Sequence, residues 1–543
     1  MRGMADLKTN TLFYGDNLGV LRSHFPDECV DLIYLDPPFN SSRSYNVLFK
    51  EAAMASSPAQ IEAFEDTWHW GDSAQHAFEQ VALHGSDDTA RLLKALVDAL
   101  GHNDVTAYLS MMAVRLIELR RVLKPTGSIY LHCDPSASHY LKVVLDSIFG
   151  PANFRNEIVW KRTTAHSSAK RYAPIHDVLF YYGKSDQVTW NGPRTDYEQE
   201  YLDKYYRFDD GDGRLYWRDN LCAAGTRKGR SGLPWRGIDP TAKGMHWKFT
   251  IDRLDELDSE GRIYWPKGGT MPQYKRHRDE LKGKASPDIW DDINRINPVG
   301  RERLGYPTQK PLALLERIIG ASSNAGDMVL DPFCGCGTAV HAAEKLGRQW
   351  TGIDVTYLAI GLIEQRMRDA FPGITINEVG VPADLPGAQA LAAHDPYQFQ
   401  FWAVHQLGGA PVSGQNKKGA DSGIDGVIPF IEGATGRRRV MISVKAGNLQ
   451  PAFVRELKGV LEREREPIGV LVTLREPTKA MLVEAVATGS YHSEFWQKDY
   501  PRVQIITAAE LLSGKRVEMP PQVSPFAQAS RERSTEGEQT KLI

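Results

Sequence analysis

The stretch from Met328 to Asp354 constrains this chain more than any other. MVLD (328–331) is an apolar run of strand length, PFCGCG (332–337) a tight loop, Thr338–Leu346 has helical spacing, and QWTGI (349–353) returns to a strand that ends in Asp354. Strand, loop, helix and strand in so short a run make a βαβ unit, which joins parallel strands. Such a loop aims backbone N–H groups and the positive end of a helix at a ligand, and an acid about 20 residues on, at the tip of the next strand, suits ribose hydroxyls. Asp331 and Asp354 stand 23 positions apart. The loop lacks the third glycine of GxGxxG and has no GK[ST], so a pyrophosphate cofactor or a P-loop nucleotide fits it poorly. Taken alone, the run also suits an ordinary α/β turn.

A second α/β beginning lies at the other end of the chain. Residues 10–35 give a strand (TLFYG), a helix (NLGVLRSHF) and the strand VDLIYL, apolar on both faces, which stops at Asp36-Pro37-Pro38-Phe39. These four residues set a carboxylate, a carbonyl with no competing N–H and an aromatic face close together, which is what an exocyclic amino group needs: two acceptors for its hydrogens and a platform for its ring. The prolines fix φ and stiffen the loop. The same residues also suit a strand-terminating turn. Residues 40–105 are polar and irregular apart from the helical ARLLKALVDAL, Tyr108–Val122 is helical, and SIYLHC is a strand after a Pro-Thr-Gly turn. The alternation predicts an α/β fold on a largely parallel sheet.

At 543 residues the chain should hold three or four domain-sized units. No apolar run reaches the length of a membrane span and the amino end lacks a signal-peptide core, so the expectation is a cytosolic protein without a membrane partner. Five cysteines with no CxxC pair encode neither a disulfide framework nor a zinc ribbon. The net charge of −3 hides an asymmetry: residues 155–310 carry 29 Lys+Arg against 23 Asp+Glu, with 7 of the 12 Trp and 11 of the 21 Tyr. Positive charge interleaved with aromatics suits a groove for a phosphate backbone and exposed bases; an aromatic core under a mixed-charge face would give the same composition. Within it Arg227, Lys228 and Arg230 cluster in the loop AGTRKGRSG, as candidate phosphate contacts or as a solvated loop. Residues 380–396 read as a Pro/Ala/Gly linker, a second α/β unit runs over 397–515, and the polar tail 516–543 is expected to be disordered.

LFYGDNLGVL, VDLIYLDPPFN, YPTQKPLALLERII and VLDPFCGCGTAVHAAEKLGRQWTGIDV, in that order, resemble the bacterial amino-group DNA methyltransferases of the permuted β class, over about residues 1–375. The resemblance implies a Rossmann-like S-adenosylmethionine (AdoMet) fold with circularly permuted motif order: a catalytic part at 1–154, a target-recognition region at 155–300 and an AdoMet-binding part at 301–380. It implies catalysis by Asp36, Pro37, Pro38 and Phe39. It also implies that Asp331, Phe333, Gly335 and Gly337 line the methionine end of AdoMet, that Asp354 takes the ribose and Asp16 the adenine, and that Thr308, Gln309 and Lys310 close over the cofactor carboxylate. Cys336 stands where the family usually has Ser, and an inert buried thiol is the expectation there. His132, Asp134, His176 and Asp177 resemble pocket-wall motifs of the same family, or are strand-end residues satisfied by their neighbours. The implied reaction is methyl transfer to adenine N6 in double-stranded DNA in a bacterial restriction-modification or defence setting, with cytosine N4 the alternative and a homodimer or restriction subunits as partners.

KGADSGIDGVIPF, RRRVMISVKAG, FVRELKGVLE and IGVLVTL resemble the Mrr-like branch of the PD-(D/E)xK nuclease fold, covering 397–515. There Asp425 and Lys445 fit the metal-site positions for Mg²⁺, but Ser443 replaces the family's second acid and is a poor ligand for a hard cation. A domain that contacts DNA without cutting it is the expectation; a combined methyltransferase and restriction endonuclease is the alternative.

Overall fold

The computed structural model describes residues 9–38, 70–165, 172–268, 271–297, 302–304, 309–412, 423–433, 436–523 and 532. Strands β1 (Thr11–Tyr14), β2 (Val30–Leu35), β3 (Leu123–Cys133), β4 (Phe154–Lys161), β5 (His176–Gly183), β6 (Ile289–Trp290), β7 (Met328–Asp331), β8 (Gln349–Asp354) and β9 (Asn377–Val379) form one sheet in the order β6-β4-β5-β3-β2-β7-β8-β1-β9. β5 runs antiparallel to β3 and β4, and the other described pairings are parallel. The doubly apolar β2 is explained by its neighbours on both faces. Ile33 and Leu35 pack with Leu21 of helix α1 (Asn17–His24) and Leu116 and Leu119 of α2 (Asp104–Val122). Leu32 and Tyr34 pack with Leu314 and Ile318 of α3 (Leu312–Ser322), Val340 of α4 (Thr338–Lys345) and Ile360 and Ile363 of α5 (Tyr357–Ala370).

Three expectations are corrected. Only Gly192–Pro287 of the 155–300 region forms a compact unit of its own; β4 and β5 before it and β6 after it complete the main sheet, because their apolar residues Ile158, Trp160, Leu179 and Trp290 join its core. The separate unit has an antiparallel sheet (Ile263–Tyr264, Gln273–His277, Tyr216–Asn220) and its own core around Trp235, Trp247, Leu254 and Leu257. Residues 380–396 are not a linker: Leu385–His394 is helix α6, with Asp384 accepting a hydrogen bond from the Gly387 N–H at 2.8 Å and Pro in its first turn. Proline and glycine there sit where a helix tolerates them, and Ala388, Leu391 and Ala392 are buried.

The carboxyl-terminal part places β10 (Ala410–Pro411), β11 (Gly426–Ile431), β12 (Arg437–Lys445), β13 (Ile468–Thr473) and β14 (Val503–Thr507) in that order in a second sheet. Helix α7 (Pro396–Gln406) covers one face and Ala452–Glu464 the other. The third correction concerns the tail. β10 is too short to cover the edge of β11, and residues 521–523 supply the missing partner: the Ile431 N–H donates to Pro521 at 3.1 Å and the Val523 N–H to Pro429 at 2.8 Å. Further on, the Glu532 carboxylate meets His341 Nε2 at 3.0 Å and Lys345 at 3.3 Å. Among the described residues no helix is long and apolar enough to cross a membrane.

Where α5 and β9 meet α7, acids crowd. His405 Nε2 lies 3.0 Å from Glu364, and Arg368 pairs with the same acid. Glu378 of β9 is pushed up to about 7 by burial and then by the charge of Glu364. A carboxyl raised in the fold keeps its proton while the unfolded chain loses it, so stability falls as pH climbs from the ordinary Glu value to about 7 and stays lower above it. Glu378→Gln is therefore expected to stabilise the protein by about 1 kcal/mol at pH 8 and to leave it unchanged at pH 4.5. Thermal melts of both proteins across pH 4.5–8 check this; parallel curves would contradict it.

Candidate active site

β2, β7 and β8 are neighbours and run parallel, so their carboxyl ends bring Asp36, Asp331 and Asp354 to one edge of the sheet, the side on which open α/β sheets bind ligands. The loop between β7 and α4 is fastened to two of them. Asp331 Oδ1 accepts the Phe333 N–H at 3.0 Å, and Asp354 Oδ2 accepts the Gly335 N–H at 2.9 Å. Gly337 must be glycine: its φ is +73°, and a Cβ would meet Ile363 at 2.8 Å. The other oxygen of Asp354 accepts from the N–H and hydroxyl of Thr356 at 2.9 and 2.8 Å. Burial pushes the Asp331 carboxyl well above the usual range and the charges of Asp36 and Asp354 add to the shift; burial raises Asp354 as well.

Three carboxyl groups on one edge repel a polyphosphate and suit a ligand with an ammonium group, a sulfonium centre and ribose hydroxyls. The turns at Gly335 and Gly337 bring bare backbone to the same edge. The residues fit AdoMet: Asp331 and Asp354 are acids suited to a cationic group and to ribose hydroxyls. Cys336 is buried, its thiol raised first by burial, with Sγ 3.6 Å from the Thr338 hydroxyl.

Asp36 is held differently from its neighbours. Its Oδ2 pairs with Lys310 Nζ, while Oδ1 is buried with no hydrogen-bond partner among the described residues. Pro37 is buried beside it; Phe39 lies outside the described residues. Behind the strand end runs a buried polar chain: Tyr34 Oη to His132 Nδ1 at 3.0 Å, His132 Nε2 to Asp177 at 3.3 Å, and Asp177 to Arg162 at 3.2 Å. Burial pushes Asp177 up, but the His132 hydrogen bond and the Arg162 charge hold it below the usual value. Of the weighed pocket-wall residues, His132 and Asp177 thus enter this network, whereas Asp134 caps the helix Pro135–Phe149. Tyr34 and Arg162 went unnoticed in the sequence, although a tyrosine two residues before Asp36 on an otherwise aliphatic strand end was a usable signal.

The remaining candidates are dispersed. Asp16 caps α1 and pairs with Arg115 at 2.5 Å, and its neighbour Asn17 reaches the cofactor loop, donating to the Pro332 carbonyl at 2.9 Å. Gln309 is engaged with Leu304 and Glu302, Lys310 faces Asp36, and Thr308 lies outside the described residues. Arg227 and Lys228 are exposed, and Arg230 pairs with Asp252 at 2.5 Å. In the carboxyl-terminal sheet Asp425 accepts the Val444 N–H at 2.6 Å, Lys445 Nζ lies 5.2 Å from the centre of the Phe453 ring, and Ser443 is buried. Among the described residues no group of three or more His, Cys, Asp or Glu side chains could hold a metal ion. Asp421, the other acid near this turn, lies outside them.

A family model for DNA methylases, N6_N4_Mtase, matches residues 30–364. A second, described as NACHT-associated inactive Restriction Endonuclease 1, matches residues 398–513. The Type II methyltransferase M.EcaI of Enterobacter cloacae is 31% identical over 359 residues, 66% of this chain and 69% of that protein. The Type III restriction-modification enzyme StyLTI Mod subunit of Salmonella typhimurium is 27% identical over 358 residues, and the chain spans only 50% of its length. DNA adenine methyltransferase YhdJ of Escherichia coli K12 is 24% identical over 359 residues, 65% of this chain and 82% of YhdJ. With a match of this extent and an α/β sheet that carries DPP and DPFCGCGT on adjacent strand ends, the chain belongs to the N6/N4 DNA methylase family.

Proposed function

We propose that the protein methylates adenine N6 at specific sites in double-stranded DNA, as a β-class enzyme with permuted motif order, and that its setting is restriction-modification. The observation that carries the reading is Asp36: a buried carboxylate oxygen without a hydrogen-bond partner among the described residues, at the tip of β2, beside the carboxyls of Asp331 and Asp354. DPPF in place of SPPY favours adenine over cytosine N4, and the relative YhdJ is a DNA adenine methyltransferase. The amino-terminal position of Asp36 relative to Asp331, on neighbouring strands, supports the permuted order. The relationship to a Type III Mod subunit supports a restriction subunit as partner, and a cytosolic location belongs to the same reading.

AdoMet supplies, when bound, a methyl group on an electrophilic sulfonium. The chain's own residues prepare the nucleophile. An adenine amino group is conjugated to its ring, and its lone pair becomes available only as the nitrogen turns tetrahedral. Asp36 Oδ1 and the Pro37 carbonyl accept its two hydrogens and favour that geometry; Lys310 pairs with Oδ2 and leaves Oδ1 for the amine. Phe39 provides the face on which the flipped base stacks. The chain Tyr34–His132–Asp177–Arg162 fixes the strand end from behind.

Asp36→Ala is expected to abolish methyl transfer while AdoMet affinity stays within a few-fold, whereas Asp354→Ala weakens AdoMet by roughly 1–3 kcal/mol. Calorimetry and a labelled-methyl assay on both variants check this, and methylation by Asp36→Ala would end the assignment. Single-molecule sequencing of DNA from expressing cells should find N6-methyladenine in one sequence context; N4-methylcytosine in its place selects the other base.

The carboxyl-terminal domain, with Asp425 engaged by the Val444 N–H and Ser443 in the second acidic position, is read as a DNA-contacting module that holds no working Mg²⁺ site. Incubation of the purified chain with Mg²⁺ and unmethylated DNA should give no cleavage. Cutting that disappears in Asp425→Ala or Lys445→Ala would make this a combined restriction and modification enzyme.

A further inference from the structure

The helix that follows the ribose-facing acid is shared by two domains. Tyr357 opens α5, and its N–H is one of those that no intrahelical carbonyl can accept. The partner comes from the carboxyl-terminal domain: Gln398 Oε1 of α7 accepts it at 2.8 Å, with both residues buried. Gln398 is itself held in place, its own N–H donating to Asp395 at α7's amino end at 3.0 Å. Immediately before Tyr357, Thr356 caps α5 and donates its hydroxyl to Asp354 at 2.8 Å. A side chain of the endonuclease-like domain therefore fastens the backbone next to the residue that fastens Asp354.

Packing supports the same join. Tyr357 belongs to the core built by Phe399, Trp402 and Ala403, and Tyr14, just before the turn that leads to Asp16, packs edge-on against it with ring centres 5.8 Å apart. One turn further along α5, Gly361 leaves room for the ring of His405, which a Cβ would meet at 2.6 Å. Polar capping, aromatic contact and a glycine notch coincide along α5.

We propose that the endonuclease-like domain acts as a wall of the cofactor half and that Gln398 is a positioning residue for AdoMet. This rests on the reading of Asp354 as the ribose ligand. Without the Gln398 acceptor the first turn of α5 has an unsatisfied buried N–H, and Asp354 loses the rigid turn that presents it. Cofactor binding thereby depends on a domain that contributes no residue to the methyl transfer.

The test uses the full chain with Gln398→Leu, which removes the acceptor, Gln398→Glu, which restores one, and Asp354→Ala as reference. For Gln398→Leu the AdoMet Kd and KM should rise roughly 5- to 30-fold, with kcat at saturating AdoMet and DNA affinity within about 2-fold of the parent; Gln398→Glu should lie within about 3-fold in all four. An unchanged AdoMet Kd in Gln398→Leu, beside a weakened Asp354→Ala, overturns this inference alone; an unchanged Asp354→Ala overturns the ribose reading beneath it. If Gln398→Leu does not fold, hydrogen exchange on the parent protein decides: AdoMet should slow exchange at Tyr357 and across 398–406, and no protection at those sites overturns the proposal.

Discussion

Everything at the candidate site depends on holding three carboxyl groups together at the edge of a sheet. Asp36, Asp331 and Asp354 sit at the ends of adjacent parallel strands, where burial opposes ionisation of Asp331 and Asp354 and the charges of Asp36 and Asp354 add to the shift at Asp331. The fold offsets that cost with directed donors. Phe333, Gly335 and Thr356 each give a backbone N–H to an acid, and Lys310 gives an ammonium group to Asp36. The Phe333 and Gly335 donors belong to the turn that the glycines at 335 and 337 allow. A cationic ligand completes the compensation, which is why an acidic edge that would repel a nucleotide polyphosphate suits AdoMet.

The same turns tie the site to the rest of the chain. Asn17 links the start of α1 to the loop after Asp331, and Gln398 links the start of α5 to the carboxyl-terminal domain. Each is a buried polar side chain meeting a backbone group that a loop or helix end leaves unsatisfied, so each is costly to remove. The aromatic and basic insertion follows a different logic. Trp235 and Trp247 fill the core of the Gly192–Pro287 unit, and Arg218 lies 3.7 Å from the ring centres of both Phe208 and Tyr264. Part of the aromatic content that suggested base stacking thus serves the packing of a small unit that has few aliphatic residues to bury.

Periodicity made most of the sheet legible. The strands at 11–14, 30–35, 328–331 and 349–354 and the helices between them follow from apolar runs and turn residues, and the acids at their ends follow from the motif spacing. Legibility failed where composition overrode position. Pro386, Gly387 and four alanines in 385–394 suggested a linker, yet a proline and glycine in the first turn of a capped helix do not oppose it, and buried alanines bring α6 close to its neighbours. It failed again for 521–523, since the open edge they cover exists only once β10 and β11 have paired unequally.

Lys310 shows the limit most clearly, because local sequence named an anion as its partner and the fold supplies one that local sequence did not show. A lysine in the loop before a helix suits an anion, and the cofactor's carboxylate was the anion expected. In the folded chain a nearer one exists, Asp36, brought from 274 positions away by the pairing of β2 beside β7. One ammonium group with three donors satisfies a buried carboxylate before it reaches toward a ligand, since leaving that carboxylate unpaired costs more than leaving an exposed one to solvent. What local sequence cannot supply is the ranking of partners, which is set by burial. The pairing gives Lys310 a partner on the strand that carries the DPP motif, a contact between two segments that are remote in sequence.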